Sequence, residues 1–253
     1  MATQFVSFQP PPGASLRDYD RSLPPSRQPA SVPPVFVEAM QVREEVFVKE
    51  QGVPLANELD EDDPRSFHWV VYASVGSTSS ASPTTMGPIN SGSASDERRR
   101  SESTATKVPV GTIRLVPPPH PPHVVEGGAH LEEPREPYVK LGRLATLSAY
   151  RGLGLSRLLI NAAINWAKEH ADDILPRPSP AQVEAAKQEG RPEWMPWRGL
   201  ILVHAQVQVQ KLWEGFGFVK DESMGTWVEE GIDHVGLWRK VEVKGDGPKT
   251  SLT

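Results

Sequence analysis

The sequence predicts a mixed α/β (α+β) fold held in a single domain, and three observations carry that expectation. Apolar residues recur at helical spacing over Val35 to Gln51 and again over Gly154 to His170. Two runs rich in β-branched and aromatic residues, SFHWVVYAS and PVGTIRLV, flank a polar stretch and read as a hairpin with an expanded turn. A third strand, Tyr138 to Leu147, leads through a tight glycine turn, Arg151 to Ser156, into the second helix.

Composition sets the outer limits. The chain has 253 residues, of which 26 are proline and 20 glycine, and most of the prolines fall in a few segments not expected to pack. A core well short of full length follows. The formal charge of -5 argues against nucleic acid as the main partner. There is no cysteine, so disulfides, thiolate metal sites and a cysteine nucleophile are ruled out. The start of the sequence lacks a basic segment followed by an apolar one, and no run is long and apolar enough to span a bilayer. The expected location is cytoplasmic, with a nuclear one also compatible, and no membrane partner is expected.

Taken in order, residues 1–34 are expected to form a proline-rich arm with a short strand at Gln4 to Phe8. The first helix, Val35 to Gln51, has Val35, Ala39, Val42, Val46 and Phe47 on one side and Arg43, Glu44, Lys49 and Glu50 on the other. The acidic loop that follows carries Glu58, Asp60, Glu61, Asp62 and Asp63; a solvated turn is expected over a cation site. In the next strand His68 and Trp69 should point to opposite faces. Residues 76–107, with their RRR cluster, read as a polar insertion. Residues 118–136 form a second, proline-rich insertion whose His120, His123 and His130 are expected at the surface rather than on a metal. In the second helix Leu155, Leu158, Leu159, Ala162, Ala163 and Trp166 define a core face.

The remaining third reads as an insertion at 172–198 and then regular elements. That insertion has a helical patch, PAQVEAAKQEG, and a Trp-Pro cluster, fit for a lid or a surface excursion. A buried strand over Leu200 to Val203 precedes a helix over Ala205 to Phe216 that ends at Gly217. Strands at Phe218 to Val219 and Asp233 to Val241 complete the domain, 35–243, and residues 244–253 form a tail.

The turn RGLGLS carries the first chemical expectation. Glycines let the backbone approach a ligand, and the helix that begins there presents unpaired N–H groups and a positive dipole end, a setting for phosphate. It is not a P-loop, because the lysine followed by serine or threonine is missing, and it lacks the third glycine of a dinucleotide fingerprint.

With its neighbours the turn becomes specific. GRLATLSAYRGLGLSRLL, followed by a strand, HAQ, a helix and KLWEGFGF, resembles the Gcn5-related N-acetyltransferase (GNAT) superfamily. There the pattern Arg/Gln-x-x-Gly-x-Gly/Ala follows the fourth strand; Arg151 and Gly154 match, and Ser156 stands where glycine or alanine is usual. VREEVFVKEQGVP with ELDEDD, and later HAQ with EEGIDH, resemble a subgroup of small bacterial and fungal acyltransferases. The resemblance spans about Val35 to Val241 outside the three insertions. It implies a twisted, mostly antiparallel sheet with flanking helices, opening between the fourth and fifth strands.

It also implies a donor, acetyl-coenzyme A, and a place for each part of it. The pantetheine arm is expected along Leu144, Ala145 and Thr146, with the Leu144 N–H aimed at the thioester oxygen, a kind of donor worth about 3 kcal/mol elsewhere. The diphosphate is expected on the N–H groups of Arg151, Gly152, Leu153, Gly154, Leu155 and Ser156. Gln206 stands in the place of an asparagine that contacts the cofactor. Trp213 stands in the place of the tyrosine that serves as acid to the leaving thiolate, and an indole cannot give up a proton at useful pH.

The general base is left among four residues. His204 has a suitable side chain and is equally suited to a hydrogen-bonded core position. Glu50 at the end of its helix can face an acceptor or water, and Glu229 and His234 can border the acceptor pocket or simply pin a turn. The activity expected is transfer of an acetyl or other short acyl group to a primary amine, on a small molecule or peptide, by direct attack in a ternary complex without a metal. A non-catalytic acyl-coenzyme A sensor or scaffold is the alternative, and a phosphate-binding domain unrelated to coenzyme A a third reading. A homodimer is compatible with the resemblance.

Overall fold

The computed structural model describes residues 6–75, 106–122, 134–190 and 193–244. The RRR cluster, His123, His130 and nearly all of the insertion expected at 76–107 lie outside the described residues, as do Gln4, Phe5 and the tail beyond Lys244.

The strands are β1 (Val6–Gln9), β2 (Phe67–Val75), β3 (Thr106–Val116), β4 (Tyr138–Thr146), β5 (Leu200–Gln206), β6 (Val219–Lys220), β7 (Thr226–Glu229) and β8 (Ile232–Lys240). They join in one sheet of order β1-β2-β3-β4-β5-β8-β6, with β7 on β8. Every pairing is antiparallel except β4 with β5. The hairpin expected from the two apolar runs is present, paired from Phe67 opposite Leu115 to Val75 opposite Thr106 with a register shift between Val71 and Tyr72.

The helices are α1 (Pro34–Arg43), α2 (Leu55–Glu58), α3 (Leu155–Glu169), α4 (Ala171–Ile174), α5 (Pro180–Gln188) and α6 (Gln210–Glu214). Strand alternation sorts them onto two faces. Trp69, Val71, Ile113 and Leu115 point to one side and pack against Leu159, Ile160, Ala163 and Ile164 of α3. His68, Val70 and Tyr72 point to the other, toward Phe36 and Ala39 of α1. The opposite orientation expected for His68 and Trp69 is met, and both are buried.

Three local expectations are corrected, and one strand is added. The first helix does not run evenly from Val35 to Gln51: α1 gives way at Glu44 to a π-helical segment, Glu44–Glu50, whose wider turn brings Val46 onto Ala145 of β4. The arm expected not to pack supplies Leu16, Tyr19 and Val32 to a small core with Phe36 and Met40, because its prolines fix short turns that lead apolar side chains inward. Ala205 and Gln206 extend β5 instead of starting a helix, since β8 pairs with them through Val235 and His234. β7 arises in TWVE, next to a turn with Glu230 at φ 52°.

The third insertion contains the expected helix as α5, with Ser179 and Gln182 forming a capping box. Its Trp197 is neither lid nor surface: it is buried in the main core and donates to the Leu200 carbonyl at 2.8 Å. His120 is half-buried rather than on the surface, with its ring against Tyr138 and Nε2 3.0 Å from the Tyr138 carbonyl oxygen. No described helix is long and apolar enough to cross a membrane.

Candidate active site

The site is created where two strands part. β4 and β5 pair in parallel only from Tyr138 opposite Leu200 to Leu141 opposite Val203. Beyond that point β5 follows β8 as far as Gln206 opposite His234, while β4 stays with β3 as far as Thr146 opposite Gly111. The backbone event at the divergence is Arg143, a non-glycine residue at φ 49°. The edge of β4 from Leu144 to Thr146 therefore has no partner strand on the side of β5.

The edge leads to the glycine turn. Gly152 and Gly154 lie at φ 79° and 78°, and a Cβ built on either meets no atom within 4 Å, so the space outside the turn is open. Gly154 caps α3, and no side chain bonds to the N–H groups of its first turn. The turn is pinned by Arg151, whose Nε donates to the Thr146 carbonyl at 3.0 Å, and by Ser156, whose Oγ is 3.1 Å from Thr146 Oγ1. Open space, free first-turn donors and no acidic residue in the first turn of α3 fit a diphosphate.

A cleft of about 860 Å³ follows the divergence, and a smaller cavity of about 260 Å³ lies against the turn. Thr146, Arg151 and Ser156 line both and join them. Leu144 and Ala145 line the cleft; Gly152, Gly154 and Leu155 line the smaller cavity. Leu153 lines neither, its side chain being 69% exposed on the outside of the turn.

All four candidates for the base face the same cleft. His204 is the first residue of β5 after its pairing with β4 ends, and Trp227 meets its ring edge-on at 4.9 Å. Glu50 ends the π-helical segment and accepts a hydrogen bond from the Arg151 guanidinium. Glu229 is exposed at the end of β7, and His234 places Nδ1 2.8 Å from the Ile232 carbonyl oxygen.

The two cofactor candidates beyond the turn are differently engaged. Gln206 donates to Gln51 Oε1 at 2.9 Å across the cleft and accepts from Gln208 at 2.8 Å. Trp213 lines the cleft but is only 3% exposed, packed edge-on against Phe218 with ring centroids 5.2 Å apart. Its bulk therefore belongs to the core.

The acidic loop departs most from expectation. Glu58 and Asp63 are buried at 2% and 0% exposure. Arg43, also fully buried, donates Nε to Glu58 at 2.5 Å and Nη1 and Nη2 to Asp63 at 2.7 and 3.1 Å. Arg114 holds both oxygens of Asp60, at 2.6 and 2.9 Å, and reaches Asp63 at 2.8 Å. Arg143 donates to Asp60 at 3.0 Å and approaches Glu58 at 3.4 Å. Burial alone would raise the Asp63 carboxyl, yet the guanidinium groups of Arg43 and Arg114 hold it far below the usual range. Asp60 is depressed as well, its burial being outweighed by Arg114 and then Arg143.

Such carboxylates cannot serve as a solvated turn, and three cations already neutralise them. The sequence did contain a signal: Arg114 and Arg143 each interrupt an apolar run, where a lone guanidinium must find an anion, whereas Arg43, expected on the charged side of its helix, is buried against that expectation. Gln51 and Arg143, which the sequence did not single out, also line the cleft, as does Asp60 of the acidic loop. Among the described residues no group of histidines and carboxylates has the arrangement of a metal site.

A model of the acetyltransferase (GNAT) family matches residues 97–175, a stretch that includes all of β3 and β4, the glycine turn and α3. The resemblance carried by GRLATLSAYRGLGLSRLL is thereby shown over those residues. Among solved structures the chain is similar to an acyl-CoA N-acyltransferase from Pseudomonas aeruginosa, at 18% identity over 92% of this chain and 97% of that one, with a TM-score of 0.45. It is similar to ElaA of Escherichia coli at 16% identity over 93% and 99%, with a TM-score of 0.46. No curated protein sequence matches the chain.

Proposed function

We propose that the chain transfers an acetyl or other short acyl group from coenzyme A to a primary amine, both substrates being held together in the cleft. The observation that carries the reading is the continuity of one path: an unpaired strand edge, Leu144 to Thr146, runs directly into an uncapped helix N-terminus at Gly154. An extended arm ending in a diphosphate needs those two features in that order. Thr146, Arg151 and Ser156, which line both cavities, stand where the arm passes into the diphosphate.

In this reading the Leu144 N–H faces the thioester oxygen and His204 takes the proton of the attacking ammonium. His204 is preferred because it stands at the apex of the divergence, on the first residue of β5 beyond its pairing with β4. The nitrogen bonds to the carbonyl carbon, the carbon–sulfur bond breaks, and the sulfur leaves as a thiolate. Trp213 supplies no proton, so the second proton that the nitrogen loses after its attack passes through water to the leaving thiolate. The acceptor enters from the side of Glu229 and His234. The cytoplasmic location and a homodimer stay with this proposal.

Release of free thiol from acetyl-coenzyme A, measured across arylalkylamines, polyamines, amino sugars and N-terminal peptides, tests it. Amine-stimulated release is expected, and Gly154→Glu should abolish both release and coenzyme A binding by placing a carboxylate where the diphosphate lies. Binding without amine-stimulated release would favour a sensor or scaffold instead. Coenzyme A affinity that survived Gly154→Glu would refute the placement.

A further inference from the structure

The acidic loop and its arginines have no part in the transfer just described, yet they end on the strand that does. Arg143 is one of two non-glycine residues at positive φ among the described residues, and the only one within a strand. A side chain in that region is disfavoured about tenfold relative to an ordinary backbone conformation. Something must hold it there. Its guanidinium is tied to Asp60 at 3.0 Å and lies 3.4 Å from Glu58. Those carboxylates are themselves fixed from below by Arg114 and Arg43, side chains of β3 and α1 that are almost fully buried.

The chain of contacts runs from the sheet–helix interface to the β4 backbone one residue before Leu144. The register of β3 against β4 shifts at the same place, between Thr112 opposite Ala145 and Arg114 opposite Gly142. Backbone turn and ion pairs thus coincide where β4 leaves β5. We propose that Asp60 and Glu58 are positioning residues: by anchoring Arg143 they hold the turned backbone that separates β4 from β5 and presents the Leu144 N–H to the cleft. The catalytic consequence rests on the acyl-transfer reading, but the backbone consequence does not.

The test compares Arg143→Ala, Arg143→Gly, Asp60→Asn and the double variant Asp60→Asn/Arg143→Gly in the full chain. Glycine accepts positive φ without an anchor and alanine does not. With an amine found by the panel above, Arg143→Ala should lower kcat about a hundredfold while coenzyme A affinity changes less than about threefold. Arg143→Gly should retain about tenfold more kcat than Arg143→Ala. Asp60→Asn should cost much in the wild-type background and less than about twofold on top of Arg143→Gly, because the anchored group is gone.

Amide hydrogen exchange at Leu144 to Thr146 gives a second readout, expected to be faster in Arg143→Ala than in the wild type. Equal losses of kcat in the alanine and glycine variants would overturn the proposal, since the guanidinium itself would then act on substrate. Unchanged exchange in Arg143→Ala would overturn it independently of any activity. A wild-type protein without amine-stimulated release would refute the transfer reading and leave the exchange experiment to decide the backbone role.

Discussion

His68 sits wholly inside the sheet–helix interface, edge-on to Phe36 with ring centroids 5.0 Å apart and Nε2 3.3 Å from the Asp63 carbonyl oxygen. Burial is the main reason its pKa is pushed down to about 3, with Arg43 and Arg114 acting in the same direction against Asp63. A histidine depressed in the folded state and ordinary in the unfolded one gives stability that is complete above about pH 6.5 and is lost as pH falls toward 3. Between pH 7.5 and 5 that loss is about 2 kcal/mol. His120, lowered to about 4 by burial and then Lys140, adds a share of the same sign. His68→Gln is therefore expected to flatten the pH dependence of the urea midpoint between pH 7.5 and 5, by removing the larger of these two shares. An undiminished slope would assign the effect elsewhere. Nothing in SFHWVVYAS marks this histidine as buried against an arginine pair, since the pairing arises from Arg43 and Asp63, distant in sequence and hidden in runs that read as surface charge.

At the scale of elements, packing and site meet at Gly111. A Cβ there would come within 2.9 Å of Val71 Cγ1, 3.1 Å of the Ala145 carbonyl oxygen and 3.2 Å of Leu159 Cδ1. Two of those neighbours are side chains that can yield, but the third is backbone of the β4 edge assigned to the pantetheine arm. Gly111→Ala is expected to destabilise by about 1–3 kcal/mol and to weaken coenzyme A binding in the same variant, read by thermal melting and calorimetry. Destabilisation with unaltered affinity would show that the β4 edge does not transmit the strain. The elements themselves were legible in proportion to how much of their signal is local. The leucines of α3 and the β-branched runs of β2 and β3 announced themselves by period and composition, and RGLGLS by its glycines. Ala205 and Gln206 carry no strand signal of their own; only pairing with β8 makes them strand. The π-helical segment was equally hidden, because KEQG shows where a helix ends but not that its last turns widen.

At the scale of the molecule, two stretches that composition sets outside the core are expected to differ in what they contribute. Val75 lies opposite Thr106 at the open end of β2 and β3, so residues 76–105 connect two adjacent strand ends that two residues can join. Replacing them with Asn-Gly should leave the melting temperature and coenzyme A affinity at least as high as in the full chain, since a two-residue connection costs less closure entropy than a longer one. The proline-rich start is a different case. β1 covers the edge of β2, Phe8 packs its ring against Phe67, Trp69 and Trp166, and Leu16, Tyr19 and Val32 close over Phe36 and Met40. Three such buried side chains contribute about 1.5–3 kcal/mol each, a sum comparable with the whole stability of a domain. Deleting residues 1–33 would also leave a bare β2 edge beside exposed aromatic rings, a template for pairing between chains. The truncated protein is expected to melt far below the full chain and to elute as aggregate in size-exclusion chromatography. If it instead melts with the full chain and elutes as a discrete species, the domain begins near Val35 as composition suggested, and the small core around Tyr19 contributes nothing that the sheet needs.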